Sequence, residues 1–178
     1  MGTRHFVGVI YKNEYKIAQY GQWDGYISGQ GSVVLEFLKT ADLTVFKEKL
    51  ANCRFVSNDE VRKMYVMAGD DPDNNTGFIT AQIAENFNAM FPSMSRDTGA
   101  GVLHIAYESV GEVPLYDRRD FLNDDVWCEF GYVINLDDNT LHCYVEGNHV
   151  FGEYIFEELP SVDELLQDLD EYYRVNSR

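Results

Sequence analysis

FVGVIYKNEYKIAQY, residues 6–20, contains two runs of β-branched and aromatic residues separated by a short polar segment. Such runs are typical of β-strands, and the letters KNE between them indicate a tight turn, so the stretch predicts a β-hairpin. If Asn13 and Glu14 are the two turn residues, Val7 lies opposite Tyr20. Apolar residues then fall on both faces of the hairpin, which favours a central place in a sheet covered on both sides.

A second hairpin is predicted in VWCEFGYVINLDDNTLHCYVEG, residues 126–147. Asp138 and Asn139 tolerate the left-handed conformations of a two-residue turn, so we expect the turn there. One face is apolar and is expected in the core, with two cysteines as small hydrophobic residues: Cys128, Phe130, Tyr132, Ile134, Leu136, Leu141, Cys143 and Val145. The other face is mixed and could line a pocket: Trp127, Glu129, Val133, His142, Tyr144 and Glu146.

Between the two hairpins, apolar residues recur at spacings of three and four, which predicts short amphipathic helices. The helical segments are residues 32–38 with Ser32 as N-cap, 43–50, 59–67, 78–91, and a segment after 95 with Ser95 or Asp97 as N-cap. A further strand is expected in VFGEYIF (150–156) and a terminal helix in SVDELLQDLDEYY (161–173). Together they predict one α+β domain over residues 1–178, a mostly antiparallel sheet of two hairpins with helices inserted between them and a C-terminal helix.

The charge of the chain is acidic and uneven. It holds 30 acidic and 14 basic residues, a net charge of −16, and 18 of the acids lie in residues 108–178 with only 4 basic residues. Because this field repels phosphates, we expect no direct nucleic-acid binding. The acids are explained most simply as a solvated face; the alternative is a surface that imitates nucleic acid and holds a basic protein partner. Arg118 and Arg119 are interpreted as ion-pair partners of neighbouring acids.

The cysteines and histidines of the sequence argue against a disulfide-bonded protein and against a metal-binding one. Three cysteines without paired spacing argue against a disulfide framework and indicate reduced thiols in the cytoplasm. The sequence has no CxxC or HExxH motif and its four histidines are scattered, so we expect neither a metal nor a cofactor.

The start of the chain is too polar for a signal peptide, and no apolar run approaches the roughly 20 residues of a membrane span, so no membrane contact is expected.

The segment QYGQWDGYISGQG, residues 19–31, combines aromatic rings with glycines directly after the first hairpin. Extending the predicted pairing brings the letters TRH opposite QWD: Thr3 meets Asp24, Arg4 meets Trp23, and His5 meets Gln22. This frame predicts a cation–π contact between the Arg4 guanidinium and the Trp23 indole. The flat rings, the arginine and the accessible glycine backbone predict a site for a small anionic, nucleotide-like ligand.

Two other segments are expected to complete this site. SRDTGAG, residues 95–101, supplies Arg96 and Asp97, and its glycines expose N–H groups at a helix start, where the helix dipole favours an anion. Glu129 offers a carboxylate that accepts hydrogen bonds from a ligand. The predicted ligand-binding residues are Arg4, His5, Gln22, Trp23, Asp24, Tyr26, Arg96, Asp97 and Glu129.

Two other interpretations of these residues stay open. In one, the polar groups satisfy one another at the end of a buried hairpin and bind nothing. In the other, Thr3, His5 and Asp24 supply the nucleophile, base and orienting carboxylate of an enzyme resembling an N-terminal-nucleophile hydrolase, with Thr3 exposed by removal of the two residues before it. Because such trios occur by chance in many chains, we assign no catalytic residue and favour a binding protein over an enzyme.

MGTRH, AQYGQWDGYISGQG, SRDTGAG and the second hairpin together resemble a family of uncharacterised proteins of bacteriophages and bacteria. Its members begin with MGTRH, carry YGQWDGYP followed by GQG, and later show SRDTGA and a hairpin with Cys, Glu and an aromatic residue in succession. This chain has Ile27 where the family tends to have proline. The resemblance implies no activity. It implies that residues 2–5, 22–26, Arg96, Asp97 and Glu129 occupy motif positions, and that the setting is a phage protein in the host cytoplasm. In that setting, the aromatic and arginine content makes sequestering a host defence signal a concrete form of the predicted binding.

Overall fold

Five strands build the main sheet of the computed structural model, which describes residues 2–176. In chain order the strands are β1 (His5–Tyr11), β2 (Glu14–Gly21), β3 (Cys53–Phe55), β4 (Val113–Leu115), β5 (Phe130–Asn135), β6 (Thr140–Val145) and β7 (His149–Ile155). The main sheet has the order β2-β1-β5-β6-β7, and β3 pairs with β4 in a small parallel sheet. Within the main sheet β1 and β5 run parallel and the other pairs antiparallel. The predicted α+β architecture and the additional strand β7 are therefore confirmed.

The helices of the described residues follow the predicted segments. They are α1 (Ser32–Thr40), α2 (Leu43–Lys49), α3 (Asn58–Met67), α4 (Ala81–Met90), α5 (Val102–Glu108) and the terminal α6 (Val162–Asn176). Within residues 2–176 no helix has both the length and the apolar composition to cross a membrane.

Two predicted helix caps are wrong. A π-helical turn, Ile27–Gly31, leads directly into α1, and Ser32 Oγ donates a hydrogen bond back to the Gly29 carbonyl instead of capping the helix. A short 3₁₀ turn precedes α5, so this helix starts at Val102, well after Ser95 and Asp97. Both errors have one cause: glycine-rich segments that read as loops are wound into helical turns.

The first hairpin turns one residue earlier than predicted. Lys12 and Asn13 are the turn residues, with φ of 56° and 58°, the left-handed conformations of a type I′ turn. The Asp137 carboxylate accepts a hydrogen bond of 2.8 Å from the backbone N–H of each of them. A side chain 124 residues away in the sequence therefore stabilises this turn.

The register of the first hairpin also differs from the predicted one. An irregularity between Val9 and Ile10 shifts the pairing again, and His5 lies opposite Gly21 rather than Gln22. A shift of one position exchanges the two faces of a strand. The predicted frame that brought TRH opposite QWD is therefore wrong, although both segments remain near each other.

The second hairpin keeps its predicted faces despite a longer turn. Asn135 pairs with Thr140, so four residues form the turn instead of Asp138 and Asn139 alone. Because this moves the register by two positions, the same side chains face the core. The predicted core face is confirmed from Phe130 onward, with every residue buried except the half-buried Phe130. Cys128, which precedes β5, is also buried, but it packs in the cluster on the opposite face of the sheet.

The core consists of three clusters of buried apolar residues. The largest packs α1, α2, α5 and α6 against one face of the main sheet. A second, around Phe6, Ala18, Leu122, Cys128 and Val133, covers the opposite face, so the first hairpin is covered on both sides as predicted. Its predicted central place in the sheet is wrong for β2, which is an edge strand. This second cluster covers the mixed face of the second hairpin at Val133 and Tyr144, whereas Glu129 and Glu146 of that face line a small cavity of about 170 Å³. The third is a separate small cluster between α3 and α4, formed by Met64, Ala68, Phe87 and Met94.

Candidate functional site

The two predicted motif segments lie side by side in the structure. The backbone N–H of Gln22 donates a hydrogen bond of 2.9 Å to the carbonyl of Arg96. The indole N–H of Trp23 donates one of 2.8 Å to Oδ1 of Asp97. The segments QWD (22–24) and SRD (95–97), 74 residues apart in the chain, are thus joined by one backbone and one side-chain hydrogen bond.

Glu129 contacts the N-terminal segment as a structural partner. Its Oε1 accepts a hydrogen bond of 3.0 Å from the backbone N–H of Arg4. The Arg4 guanidinium lies 4.5 Å from the centre of the Trp127 ring. The predicted stacking of Arg4 on Trp23 is therefore wrong, because the parallel pairing of β1 with β5 places Arg4 beside the segment that follows Trp127.

His5 is enclosed inside the protein. Its side chain is fully buried, and a Cβ atom at Gly21 would lie only 2.0 Å from Cε1 of the ring. A Cβ at Gly99 would lie 2.9 Å from Nε2. Neither ring nitrogen has a hydrogen-bond partner among the described residues. His5 therefore supports the packing of this region and does not face a ligand.

The enclosure of His5 changes its protonation. Burial lowers the pKa of His5 from 6.5 to about 4, and the nearby Thr3 carbonyl opposes this to a smaller extent. That carbonyl lies outside hydrogen-bond geometry with the ring and accepts instead from the N–H of Gly25 at 3.0 Å. His5 is consequently neutral near pH 7.

The trio Thr3, His5 and Asp24 is not assembled into a hydrogen-bonded group. Thr3 is buried and Asp24 is exposed, and neither hydrogen-bonds to the His5 ring. Asp24 takes a left-handed conformation, φ 55°, so that its carbonyl accepts the N–H of Gln30 at 2.8 Å. The geometry of these side chains provides no nucleophile activated by a base.

The glycine N–H groups of SRDTGAG do not form the expected anion site. The N–H of Ala100 donates 2.7 Å to Oε1 of Gln30, and the N–H of Gly101 donates to the Thr98 carbonyl. Gly99, at φ 50°, is buried with Ala100. The donors at this helix start are thus used within the fold.

A cleft of about 400 Å³ opens next to the joined motif segments. It lies between β2, the pair α3 and α4, and the residues that follow β4. Arg96 and Asp97 line it, whereas the other seven predicted ligand residues do not. Arg4, Trp23 and Tyr26 lie instead on an open surface, and His5 lies inside the protein. Gln22, Asp24 and Glu129 also lie outside the cleft. The structure therefore divides the predicted site into two.

Two arginines in this cleft have no carboxylate partner. Arg96 and Arg118 form no ion pair with any described residue, whereas the adjacent Arg119 pairs with Asp117 at 2.7 Å. The ion-pair interpretation is thus right for Arg119 and wrong for Arg118. The Arg118 guanidinium lies 4.7 Å from the centre of the Tyr116 ring, which holds its planar group at the cleft.

Aromatic side chains form the rest of the cleft wall. Tyr65 stacks on Phe87 with ring centres 4.1 Å apart and an angle of 17°. Burial, and then the neighbouring Tyr65, raise the pKa of Tyr116, so its hydroxyl is protonated at neutral pH. The half-buried Asn88 makes no side-chain hydrogen bond with described residues. The wall therefore offers flat rings and a free amide close to two free cations.

Sequence reasoning missed Tyr65, Asn88, Tyr116 and Arg118. Each lies in a segment without a motif. Arg118 alone was singled out in the sequence, and its acidic neighbours indicated an ion pair rather than a ligand site. A second cleft of about 710 Å³, on the other side of α3, is largely apolar and contains none of the predicted residues.

No family model, curated protein or solved structure matches the chain. Within residues 2–176, no group of three or more His, Cys, Asp and Glu side chains is arranged to hold a metal ion. Function is therefore inferred from the geometry of the chain itself.

Proposed function

We propose that the protein binds a small nucleotide-like ligand, planar with an anionic part, in the cleft of Arg96 and Arg118. The observation that carries this proposal is the pair of arginines without carboxylate partners in a chain of net charge −16. With more than two acids for each basic residue, carboxylates are available throughout the chain. Two cations left free in one concave site favour an anion that arrives from outside.

The two guanidinium groups suit a phosphate or carboxylate. A guanidinium donates hydrogen bonds in a fixed planar fork and matches both groups with two bonds at once. Because the protein as a whole repels anions, the ligand must gain its binding energy from short contacts inside the cleft rather than from long-range attraction. We therefore expect affinity to depend on both arginines.

The aromatic wall suits the planar part of the ligand. Tyr65, Tyr116 and Tyr20 present flat apolar rings in the same cleft, and Asn88 has a free amide that can both donate and accept. The volume of about 400 Å³ lies within the range of small-molecule sites. A purine or pyrimidine ring with an attached phosphate combines the features that this wall and the arginines recognise.

Binding without turnover is the role that fits these residues. No activated nucleophile is present among the side chains of the predicted trio, and both cleft arginines are suited to holding an anion. The resemblance to phage proteins supports one setting, in which the protein sequesters a nucleotide signal of the host's defence.

Calorimetric titration with adenosine monophosphate, adenosine and inorganic phosphate tests the proposal. We expect the nucleotide to bind more tightly than either of its parts. Arg96→Met and Arg118→Met should each weaken binding by about 10- to 100-fold, since each removes a charge-assisted interaction. Arg119→Met is the matched control, because it makes the same change at the next residue, where the arginine is already paired.

Two results would overturn the proposal. One is the absence of binding by a panel of mononucleotides, dinucleotides and cyclic nucleotides at high micromolar concentration. The other is binding that Arg119→Met weakens as much as Arg118→Met does, because a general loss of positive charge would then explain the affinity.

A further inference from the structure

Three large aromatic side chains and one arginine surround the first residues of the chain on an open surface. Trp23 is 47 % exposed, Tyr26 55 % and Trp127 49 %. Arg4 lies over Trp127 and forms no ion pair with any described residue. We call these four side chains the aromatic surface. It is distinct from the cleft, which none of them lines.

Contacts through residues 2–4 make the aromatic surface continuous. A Cβ atom on Gly2 would lie 2.3 Å from the indole of Trp23, so the Gly2 backbone packs directly against that ring. Arg4 covers one face of Trp127. The carbonyl of Arg4 also accepts the N–H of Phe130, whose ring lies 6.1 Å from that of Tyr26. Both tryptophans therefore pack against residues 2–4 while about half of each side chain stays in solvent.

The residue types of this surface are those that dominate binding energy at protein interfaces. Tryptophan, tyrosine and arginine are enriched among the residues whose truncation weakens a complex most, and exposed groups of large aromatics mark interaction sites. The sheet does not need these rings for its core, because its two faces are already covered by other clusters. Their exposure is explained if a partner covers them.

The charges around the rings indicate what that partner carries. Asp24 and Asp97 are exposed and Glu129 is half-exposed, each bonded to a residue of the surface or next to one in the chain, and the exposed Asp125 lies two positions before Trp127. The positive side chains among these segments are those of Arg4 and Arg96. The field of the whole chain is also negative. Basic groups are therefore attracted to this surface, and phosphate backbones are repelled.

We infer that the aromatic surface docks a basic protein segment whose arginines stack on the open faces of Trp23 and Trp127. The Arg4 stack on Trp127, at 4.5 Å, shows that this ring accepts a guanidinium in the present fold. A partner arginine completes the stack from the other side, and its remaining N–H groups reach the surrounding carboxylates. This inference does not depend on ligand binding in the cleft.

Tryptophan fluorescence measures this interaction directly, because the chain has two tryptophans and both belong to the aromatic surface. The probe is a short peptide that alternates arginine and glycine, titrated into the full chain. We expect a saturable change in emission, and about tenfold weaker binding of the matching lysine peptide, which stacks less well on indole. The Trp127→Phe variant should keep most of the affinity, because it keeps a ring.

Variants separate this site from a general attraction of acidic protein for basic peptide. Trp127→Ala, followed by the emission of Trp23 and by calorimetry, should lose at least about tenfold in affinity. Phe78→Ala is the matched control, since Phe78 is also an exposed aromatic residue but lies in the loop before α4. If Trp127→Ala melts below the wild type, the Trp127→Phe variant and the comparison of arginine with lysine peptide carry the test.

Equal binding of the arginine and lysine peptides would overturn the inference, because the charge of the chain alone would then explain it. Unchanged tryptophan emission up to millimolar arginine peptide would overturn it as well. So would tighter binding of a single-stranded oligonucleotide than of the arginine peptide at the same salt concentration.

Discussion

His5 and the glycines around it show how one side chain organises the candidate region. The ring fills the space that Gly21, Gly25 and Gly99 leave open, and these glycines come from two distant segments. A larger residue at any of the three would meet the histidine, its backbone or Gln30. The glycines that we interpreted as accessible backbone for an anionic ligand thus serve close packing.

Stability should fall as the pH drops from 6.5 towards 4 because of His5. The unfolded chain binds a proton at this histidine below pH 6.5, whereas the folded protein binds it only below about 4, so acid favours unfolding across that window. The full effect is about 3 kcal/mol. Urea unfolding at pH 7 to 5 captures about 2 kcal/mol of this effect, above the range where carboxylates such as Glu60 and Glu112 take up protons.

Two variants test whether His5 causes this pH dependence. His5→Gln should flatten the curve, whereas His149→Gln should preserve it, since His149 is exposed. A wild-type free energy of unfolding that does not change between pH 7 and 5 would contradict the description of His5 as a buried neutral ring.

Gly21→Ala should destabilise the protein although the change adds one methyl group. The new Cβ would lie 2.0 Å from Cε1 of His5, a buried ring that cannot move aside freely. We expect a loss of about 1–3 kcal/mol in the free energy of unfolding. Gly111→Ala is the control, because nothing lies within 4 Å of its Cβ position, and it should change stability by less than about 0.5 kcal/mol. Equal effects of both variants would contradict the tight enclosure of His5.

The strands of the main sheet and the helices could be located from the sequence, whereas the turns and the short strands β3 and β4 could not. Alternation of apolar residues is set by burial, so both hairpins, β7 and the six helices were found by periodicity. The first hairpin's turn depends on Asp137, a residue beyond the reach of local sequence patterns. The second hairpin tolerated an error in its turn because the register moved by two positions and the faces were kept.

The turn of the first hairpin should be improvable at Lys12. Lysine is sterically strained at φ 56°, a conformation that asparagine tolerates better. Lys12→Asn should therefore raise the free energy of unfolding by about 0.5–1 kcal/mol. Asp137→Ala should lower it, because two turn amides lose their acceptor. Urea unfolding compares the two variants, and changes of the same sign would contradict the turn described here.

The pair α3 and α4 is an element with its own small core. Its buried cluster is separate from the main one, and Tyr65 and Phe87 within it also form the wall of the cleft. Amides of α3 and α4 should therefore exchange hydrogen faster than those of β1 and β5, and adenosine monophosphate should slow them. Hydrogen exchange followed by mass spectrometry measures both effects. Equal protection of all helices and strands without ligand would contradict a separately stabilised pair.

The candidate cleft is a property of the whole molecule. It combines β2, α3, α4 and the segments around Arg96 and Arg118, so residues up to about a hundred positions apart meet in it. The sequence indicated Arg96 and Asp97 because they lie in a recognisable motif. It could not indicate Tyr65, Asn88 or Tyr116, because nothing local distinguishes a tyrosine on a cleft wall from one in a core.

The acidic C-terminal half partly serves the fold. Several of its carboxylates have internal partners: Glu112 pairs with Arg54, Asp117 with Arg119, Asp137 holds the first hairpin's turn, and Glu164 accepts from the N–H of Ser161 at the start of α6. These carboxylates lie on separate elements. These four carboxylates therefore do not form a single acidic ridge that imitates nucleic acid. The binding of a basic partner through this region stays a prediction.

Native mass spectrometry of the protein purified from cells tests the proposed cleft most directly. We predict that the wild type retains a small anion, that denaturation releases it for identification, and that Arg118→Met is recovered without it while Arg119→Met still carries it. A wild-type protein that is recovered empty, and that gains no mass when adenosine monophosphate or another nucleotide is added, would contradict the claim that the two free arginines bind a nucleotide-like ligand.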